Sequence, residues 1–216
     1  QMLPASSRIL LMWWPRPIRR WIEVSPLKQV ILTPNPYRDK GFQTVRNAMA
    51  ILKEAGVDVK VCLPFEVDRT FDLPRDIRFS RLDRELPHSD LVICFGGDGT
   101  ILHMSKAATR KNVPVLGVNI GNLGFMAELE SDELDMLKLL VEGKYTIDHR
   151  MMLDVTVQRD RDIIFHDIGL NDVVITKGSV ARTAHLTVRC DGVHAMQCDG
   201  DGIIVATPTG STAYSL

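Results

Sequence analysis

The chain contains 216 residues, of which 45% are hydrophobic and 25% are charged, and its formal net charge is −1. This length and composition are typical of a globular protein of one or two domains with a substantial core. The balanced charge excludes a general electrostatic attraction to nucleic acid or to anionic membranes, so we expect neither as a partner.

The first 27 residues differ from the rest of the chain. An apolar run at residues 9–14 ends at Pro15 and is far too short to span a bilayer. Arginines follow this run, which reverses the order of a signal peptide. We therefore expect residues 1–27 to be a disordered or loosely docked extension, with a weak membrane-surface helix as the alternative.

The four cysteines lie in apolar or mixed runs and lack C-x-x-C spacing. This usage predicts reduced thiols in a cytoplasmic protein, without a disulfide framework or a zinc site.

Residues 28–147 alternate between strand and helix patterns. Because strands and helices of this length alternate, we predict a parallel α/β sheet with right-handed crossovers. Residues 69–87 are rich in charged residues and proline. We therefore predict that they form a surface connection with little regular structure. The predicted strands are 29–33, 57–61, 91–95 and 113–118, and helical periodicity covers 42–55, 100–108 and 134–141.

The motif G-G-D-G-T at residues 96–100 follows the apolar strand at 91–95 and precedes a helix. Its glycines permit close approach of a ligand, and a helix N-terminus supplies N–H groups suited to phosphate. Asp98 is electrostatically unsuited to simple anion binding, so it indicates metal binding or proton abstraction from an attacking hydroxyl. A tight strand-to-helix turn with Asp98 as the helix N-cap is the structural alternative. The spacing fits neither a Rossmann nor a Walker A fingerprint.

A second glycine-containing turn, at residues 119–125, follows the next predicted strand. Both turns are expected at the carboxyl edge of one sheet, where open α/β folds place ligands.

From residue 148 the hydrophobic pattern changes to that of short strands separated by Gly, Asp and Asn turns. We predict a second, all-β domain over residues 148–216. Its predicted strands are 153–157, 163–165, 173–175, 185–189 and 203–205.

Two segments of this domain are dense in polar side chains. One is Asn171-Asp172, directly before a strand, and the other runs from Asp199 and Asp201 into hydroxyl-rich residues 207–215. Such residues are usually turn formers or solvated loops. Acids followed by consecutive hydroxyls and a tyrosine are also suited to holding a ribose and an adenine.

In this order and at these intervals, the motifs resemble those of the NAD kinase family over about residues 28–216. G-G-D-G-T alone is shared with phosphofructokinases and with diacylglycerol and sphingosine kinases, whereas D-G followed by T-P-T-G-S-T-A-Y is the family-level signal. The resemblance implies an α/β parallel-sheet domain followed by an all-β domain. It also implies transfer of the γ-phosphoryl group of ATP, or of polyphosphate, to the adenosine-ribose 2′-hydroxyl of NAD, which forms NADP.

The resemblance also implies roles for individual residues. Asp98 would be the general base, and Mg²⁺ would arrive with ATP rather than at a dedicated protein site. One departure is Asn171-Asp172, where the family usually has Asn-Glu. The implied phosphate-binding residues are Gly96, Gly97, Gly99 and Thr100. The implied substrate-binding residues are Asp98, Gly99, His103, Asn171, Asp172, Arg182, Asp199, Asp201, Thr212, Ala213, Tyr214 and Ser215.

The resemblance further implies a homodimer or homotetramer. We expect NAD to lie in a cleft between the two domains, because Asp98 and the acid-and-hydroxyl segments must reach one ribose. Family members continue beyond residue 216, so we expect an incomplete β domain that is poorly stable or prone to self-association.

Two alternatives to an NAD kinase stay open at this stage. One is another G-G-D-G-T kinase acting on a lipid or sugar alcohol, although the matched region shows no amphipathic or basic membrane surface. The other is a catalytically inactive nucleotide-binding fragment.

Overall fold

The computed structural model describes residues 7–13, 27–68, 70–121, 124–178 and 182–211, the first of these ranges by its backbone alone. The chain divides into two compact units, Arg20–Asp148 and His149–Leu216 together with Gln1–Arg19. This division lies one residue beyond the domain boundary that the sequence predicts.

The bounds of the regular elements are as follows. The strands are β1 Ser7–Trp13, β2 Gln29–Pro34, β3 Asp58–Cys62, β4 Phe79–Ser80, β5 Leu91–Gly96, β6 Val115–Asn119, β7 Leu129–Glu130, β8 Leu153–Arg159, β9 Asp162–Gly169, β10 Asp172–Thr176, β11 Ala184–Cys190, β12 Val193–Gly200 and β13 Gly202–Ala206. The α-helices are α1 Gln43–Glu54, α2 Leu82–Glu85, α3 Asp98–Thr109 and α4 Leu137–Val141, with 3₁₀ turns at Lys40–Phe42, Leu86–His88 and Leu134–Met136.

The unit of residues 20–148 is built on a six-stranded sheet in the order β4-β3-β2-β5-β6-β7. Every neighbouring pair in it is parallel, which confirms the predicted α/β architecture. Strand β5 is buried along its whole length. Leu91, Ile93 and Phe95 pack with α1 and α4 on one face, and Val92 and Cys94 pack with α3 on the other. Coverage of both faces explains the unbroken apolar run in the sequence.

Two details differ from the sequence prediction in this unit. Helix α3 begins at Asp98, two residues before the predicted start, so the acid belongs to the first turn of the helix. The connection at 69–87 contains the short elements β4 and α2, and its buried Ile77 joins the core.

The other unit consists of antiparallel sheets with the strand orders β1-β8-β9, β10-β13 and β11-β12, as the predicted all-β domain requires. Residues 7–13, which we expected to be disordered or loosely docked, instead pair along β8 from Ser7↔Arg159 to Trp13↔Leu153. Strand β12 was not predicted, because most of its residues are exposed and it lacks apolar alternation.

All four cysteines are free thiols. Cys62 and Cys94 are buried in the sheet, and burial raises the pKa of each to about 12. Within the described residues, no helix has the length and apolarity needed to cross a membrane.

Candidate functional site

Asp98 is held by the turn that follows β6. Its Oδ2 accepts a hydrogen bond from the backbone N–H of Phe125 at 3.1 Å, and its Oδ1 accepts one from Met126 at 3.2 Å. The N-cap of α3 is Gly97, and no side chain caps this helix end. The alternative interpretation of Asp98 as an N-cap is therefore wrong, because its carboxylate links two turns instead.

Both glycine-containing turns lie at the carboxyl edge of the sheet, and they meet at Asp98. Strands β5 and β6 are parallel neighbours, with Gly96 opposite Asn119. A Cβ added to Gly124 would lie 2.5 Å from Oδ1 of Asp98, closer than real Cβ atoms approach. Glycine at position 124 thus allows the second turn to approach the carboxylate closely enough to donate its N–H groups.

The glycines and threonine of the G-G-D-G-T motif fall into two groups. Gly96 and Thr100 are buried, and a Cβ on Gly96 would collide with the Thr100 side chain. The Thr100 N–H donates to the Gly97 carbonyl at 2.9 Å, and its hydroxyl accepts a bond from the Asn35 amide at 3.0 Å. By contrast, a Cβ on Gly97 or Gly99 would meet no atom within 4 Å. The motif is therefore closely packed at Gly96 and Thr100 and open at Gly97 and Gly99.

Asn35 also supports this motif, although it was not among the residues predicted from the sequence. Its N–H donates to the Phe95 carbonyl at 2.8 Å, and its Oδ1 accepts the N–H of Tyr37 at 3.1 Å. The available signal was an asparagine directly after a parallel strand, where its side chain can organise a turn. Through its amide, Asn35 joins the end of β2 to Thr100 of α3.

Aromatic rings lie close to the motif. The exposed His103 ring packs edge-to-face on Phe65 with centroids 6.1 Å apart, and Phe65 in turn stacks on Tyr37 at 6.2 Å. Phe125, whose N–H donates to Asp98, is 89% exposed. Phe125 and His103 are thus exposed aromatic residues beside the motif. The described residues contain no cluster of three or more His, Cys, Asp or Glu side chains suited to a metal ion.

In the second unit, the pairing of β10 with β13 places two predicted motifs side by side. Asp172 lies opposite Ala206, so Asn171 and Thr207 are neighbours at one end of the ladder. The buried Thr207 donates its hydroxyl to the Leu170 carbonyl and its N–H to the Asn171 carbonyl, the latter at 2.7 Å. Asn171 and Asp172 are therefore fixed against the start of the T-P-T-G segment.

The side-chain oxygen of Asn171 has no hydrogen-bond partner among the described residues, although the atom is buried. A buried polar atom without a partner costs free energy, so such atoms often mark a ligand contact. Among the described residues of this unit that are predicted to bind substrate, Asn171 alone has a buried side-chain atom without a hydrogen-bond partner.

The structure does not bring Asp199 and Asp201 to this place. Asp201 precedes the opposite end of β13, and its carboxylate pairs with Lys177 at 2.6 Å. The five-residue ladder separates the two ends by roughly 13 Å. Asp199 lies in β12 and pairs with His185 across the β11–β12 hairpin at 2.7 Å. Their implied role in substrate binding stays a prediction, and the β10–β13 register places Asp201 at the end of the ladder away from Asn171.

The remaining predicted residues add little to the geometry. Arg182 is exposed just before β11. Thr212, Ala213, Tyr214 and Ser215 lie outside the described residues.

Comparison with protein families identifies both parts of the chain. Residues 30–145 match the model of the ATP-NAD kinase N-terminal domain, and residues 170–216 match that of the ATP-NAD kinase C-terminal domain. The first match covers more than half of the chain. These findings confirm the resemblance drawn from the motifs.

Individual relatives agree with this assignment. The chain is 39% identical over 186 residues to the NAD kinase of Acetivibrio thermocellus, covering 86% of this chain and 63% of that protein. It is 44% identical over 190 residues to the NAD kinase of Natranaerobius thermophilus, covering 88% and 65% respectively. The chain thus spans less than two thirds of the length of these relatives.

A solved structure shares the fold. Yeast NADH kinase in complex with NADH aligns with a TM-score of 0.74, over 95% of this chain and 65% of the yeast chain. The sequence identity is 24%, so this likeness supports the architecture.

Proposed function

This chain belongs to the ATP-NAD kinase family, and from that membership we propose that it transfers the γ-phosphoryl group of ATP, or a phosphoryl group of polyphosphate, to the 2′-hydroxyl of the adenosine ribose of NAD, forming NADP. The observation that carries the proposal is the setting of Asp98. Its carboxylate is fixed by two backbone N–H groups beside the open space at Gly97 and Gly99. A fixed acid next to room for a ligand is the arrangement that a base-assisted transfer requires.

The proposed reaction is a displacement at the terminal phosphorus. The ribose oxygen forms a new bond to phosphorus, the bond to the leaving phosphate oxygen breaks, and the hydroxyl proton passes to Asp98. Each carboxylate oxygen has two lone-pair positions, so the bonds from Phe125 and Met126 leave acceptor capacity for that proton. In this proposal Asp98 positions the hydroxyl and removes its proton.

The donor phosphates would bind at Gly97 and Gly99. The first N–H groups of α3 have no intrahelical acceptor, and the helix dipole favours an anion there. Gly96 and Thr100 would support this turn from its buried side. The side chain and the N–H of Thr100 already take part in hydrogen bonds within the protein. Mg²⁺ would enter as the hydrated complex with ATP and neutralise phosphate charge.

NAD would be recognised by residues from both units. The unpartnered oxygen of Asn171 would accept a bond from the nucleotide, and Asp172 would accept one from a ribose hydroxyl. His103 would contact a phosphate from the first turns of α3. The family resemblance adds Arg182, Asp199, Asp201 and residues 212–215 to this set.

From the same resemblance we propose a cytoplasmic enzyme that forms a homodimer or a homotetramer.

The test is direct detection of NADP. Purified protein is incubated with Mg²⁺, a donor (ATP or polyphosphate) and one acceptor at a time: NAD, NADH, a diacylglycerol or a sugar alcohol. We expect NADP from NAD, measured with an NADP-specific dehydrogenase. Phosphorylation of the lipid or sugar alcohol in place of NAD would establish another kinase, and no transfer to any acceptor would overturn the proposal.

A further inference from the structure

The Arg38 guanidinium lies at the carboxyl edge of the parallel sheet. Its side chain is exposed, and it has no hydrogen-bond or ion-pair partner among the residues that the structure describes. Two other arginines of the same unit behave differently, since Arg46 pairs with Asp76 and Arg81 with Asp83, each at 2.7 Å. The charge of Arg38 is therefore available to a ligand.

The backbone around Arg38 is firmly anchored. The N–H groups of Arg38 and Asp39 both donate to the Asn35 carbonyl, at 3.1 and 2.9 Å. The carboxylate of Asp39 is buried and accepts the N–H groups of Thr44 and Val45 at the start of α1, each at 3.0 Å. Because this turn is fixed at both ends, binding through Arg38 would cost little additional ordering of the backbone.

The Arg38 side chain extends toward the turn that follows β6. A Cβ added to Gly121 would lie 3.2 Å from Nη1 of Arg38, so the guanidinium rests against the turn that follows β6. Arg38 itself follows β2, and β5 lies between β2 and β6 in the sheet. Gly121 has a φ of +120°, which favours glycine and leaves room for the guanidinium. The Arg38 side chain therefore reaches between the turns on either side of the strand from which the G-G-D-G-T turn emerges.

We propose that Arg38 binds the phosphoryl group being transferred, an assignment that rests on the proposed kinase function. Guanidinium binds phosphate through two parallel N–H bonds. During transfer, negative charge is distributed over the three equatorial oxygens, where a fixed cation stabilises it. The Asp98 carboxylate is occupied by the N–H groups of the β6 turn rather than by Arg38. In this proposal Asp98 acts on the ribose hydroxyl, and Arg38 binds the transferred phosphoryl group.

The experiment compares Arg38→Ala and Arg38→Lys with two controls in the full chain. Arg75→Ala removes an exposed arginine elsewhere in the same unit, and Lys40→Ala removes a charge two residues away in the same turn. We expect Arg38→Ala to lower kcat on the order of 10²–10³-fold with an unchanged KM for NAD. Added guanidinium ion should restore part of this activity in Arg38→Ala and in no other variant. Arg38→Lys keeps the charge but loses the planar fork, so it should recover less than full activity.

A second measurement separates this assignment from the proposed function. Calorimetric binding of inorganic tripolyphosphate should weaken at least tenfold in Arg38→Ala, with an unchanged melting temperature. If the wild-type protein forms no NADP, the proposed function fails, and tripolyphosphate binding alone then decides the role of Arg38. Kinase activity and tripolyphosphate affinity of Arg38→Ala within threefold of wild type would overturn the assignment. Equal losses in Arg75→Ala or Lys40→Ala would overturn it too, because general charge would then explain the effect.

Discussion

Replacing Gly124 by alanine tests whether the position of Asp98 controls turnover. The new Cβ would lie 2.5 Å from Oδ1 of Asp98, whereas ordinary van der Waals contact begins at 3.4 Å. The carboxylate or the turn must therefore move by about 0.9 Å. Misplacement of a catalytic group by about 1 Å can cost on the order of 10²-fold in rate. We expect kcat for NADP formation to fall about 100-fold, which corresponds to about 2.7 kcal/mol in the barrier.

The matched control is Gly97→Ala, because a Cβ at Gly97 would meet no protein atom within 4 Å. This variant should keep the wild-type melting temperature but raise the KM for ATP, since its methyl group enters the space proposed for the donor phosphates. Steady-state kinetics with each substrate varied in turn distinguish the two outcomes. A folded Gly124→Ala protein with kcat within threefold of wild type would refute the claim that the second turn positions Asp98.

Three further predictions concern recognition, the support of the motif and thiol chemistry. Asp172→Ala should raise the KM for NAD at least tenfold and leave the KM for ATP unchanged, and equal effects on both would indicate a folding defect instead. Asn35→Ala should lower the free energy of unfolding by about 1–2 kcal/mol, and a denaturation cycle with Thr100→Val should show coupling if their hydrogen bond is the cause. Iodoacetamide should modify exposed Cys190 in the native protein but Cys94 only after unfolding, because burial raises the pKa of Cys94 to about 12. Peptide mass mapping identifies the modified cysteine, and modification of Cys94 before Cys190 would contradict this prediction.

The parallel-sheet unit was predictable because its signals are local. Short apolar runs, helical periodicity and glycine turns placed β2, β3, β5, β6 and their helices close to the observed bounds. The same logic placed both glycine turns at one edge of the sheet, since all parallel strands end there.

The supporting contacts of the site were not predictable, because they join turns that are distant in the sequence. The bonds from Phe125 and Met126 to Asp98 and the bond from Asn35 to Thr100 depend on which strands are neighbours in the sheet. A sequence pattern contains the identity of these residues but not their pairing.

In the second unit, register rather than composition decides which polar residues meet. Asp201 belongs to the same dense polar segment as Thr207, yet the β10–β13 ladder puts them at opposite ends. The pairing of β1 with β8 joins residues about 150 positions apart, such as Ser7 and Arg159. No local sequence pattern predicts this pairing.

The measurement that most directly tests the account is turnover by Asp98→Asn, with NAD and ATP at saturation and with NAD affinity measured separately. Asparagine keeps the shape and one acceptor oxygen for the N–H groups of the second turn, but it cannot take the ribose proton. We predict that NADP formation falls on the order of 10²–10⁴-fold while the Kd for NAD changes only a few-fold. A folded Asp98→Asn protein that retains most of the wild-type turnover would contradict the claim that this carboxylate is the general base.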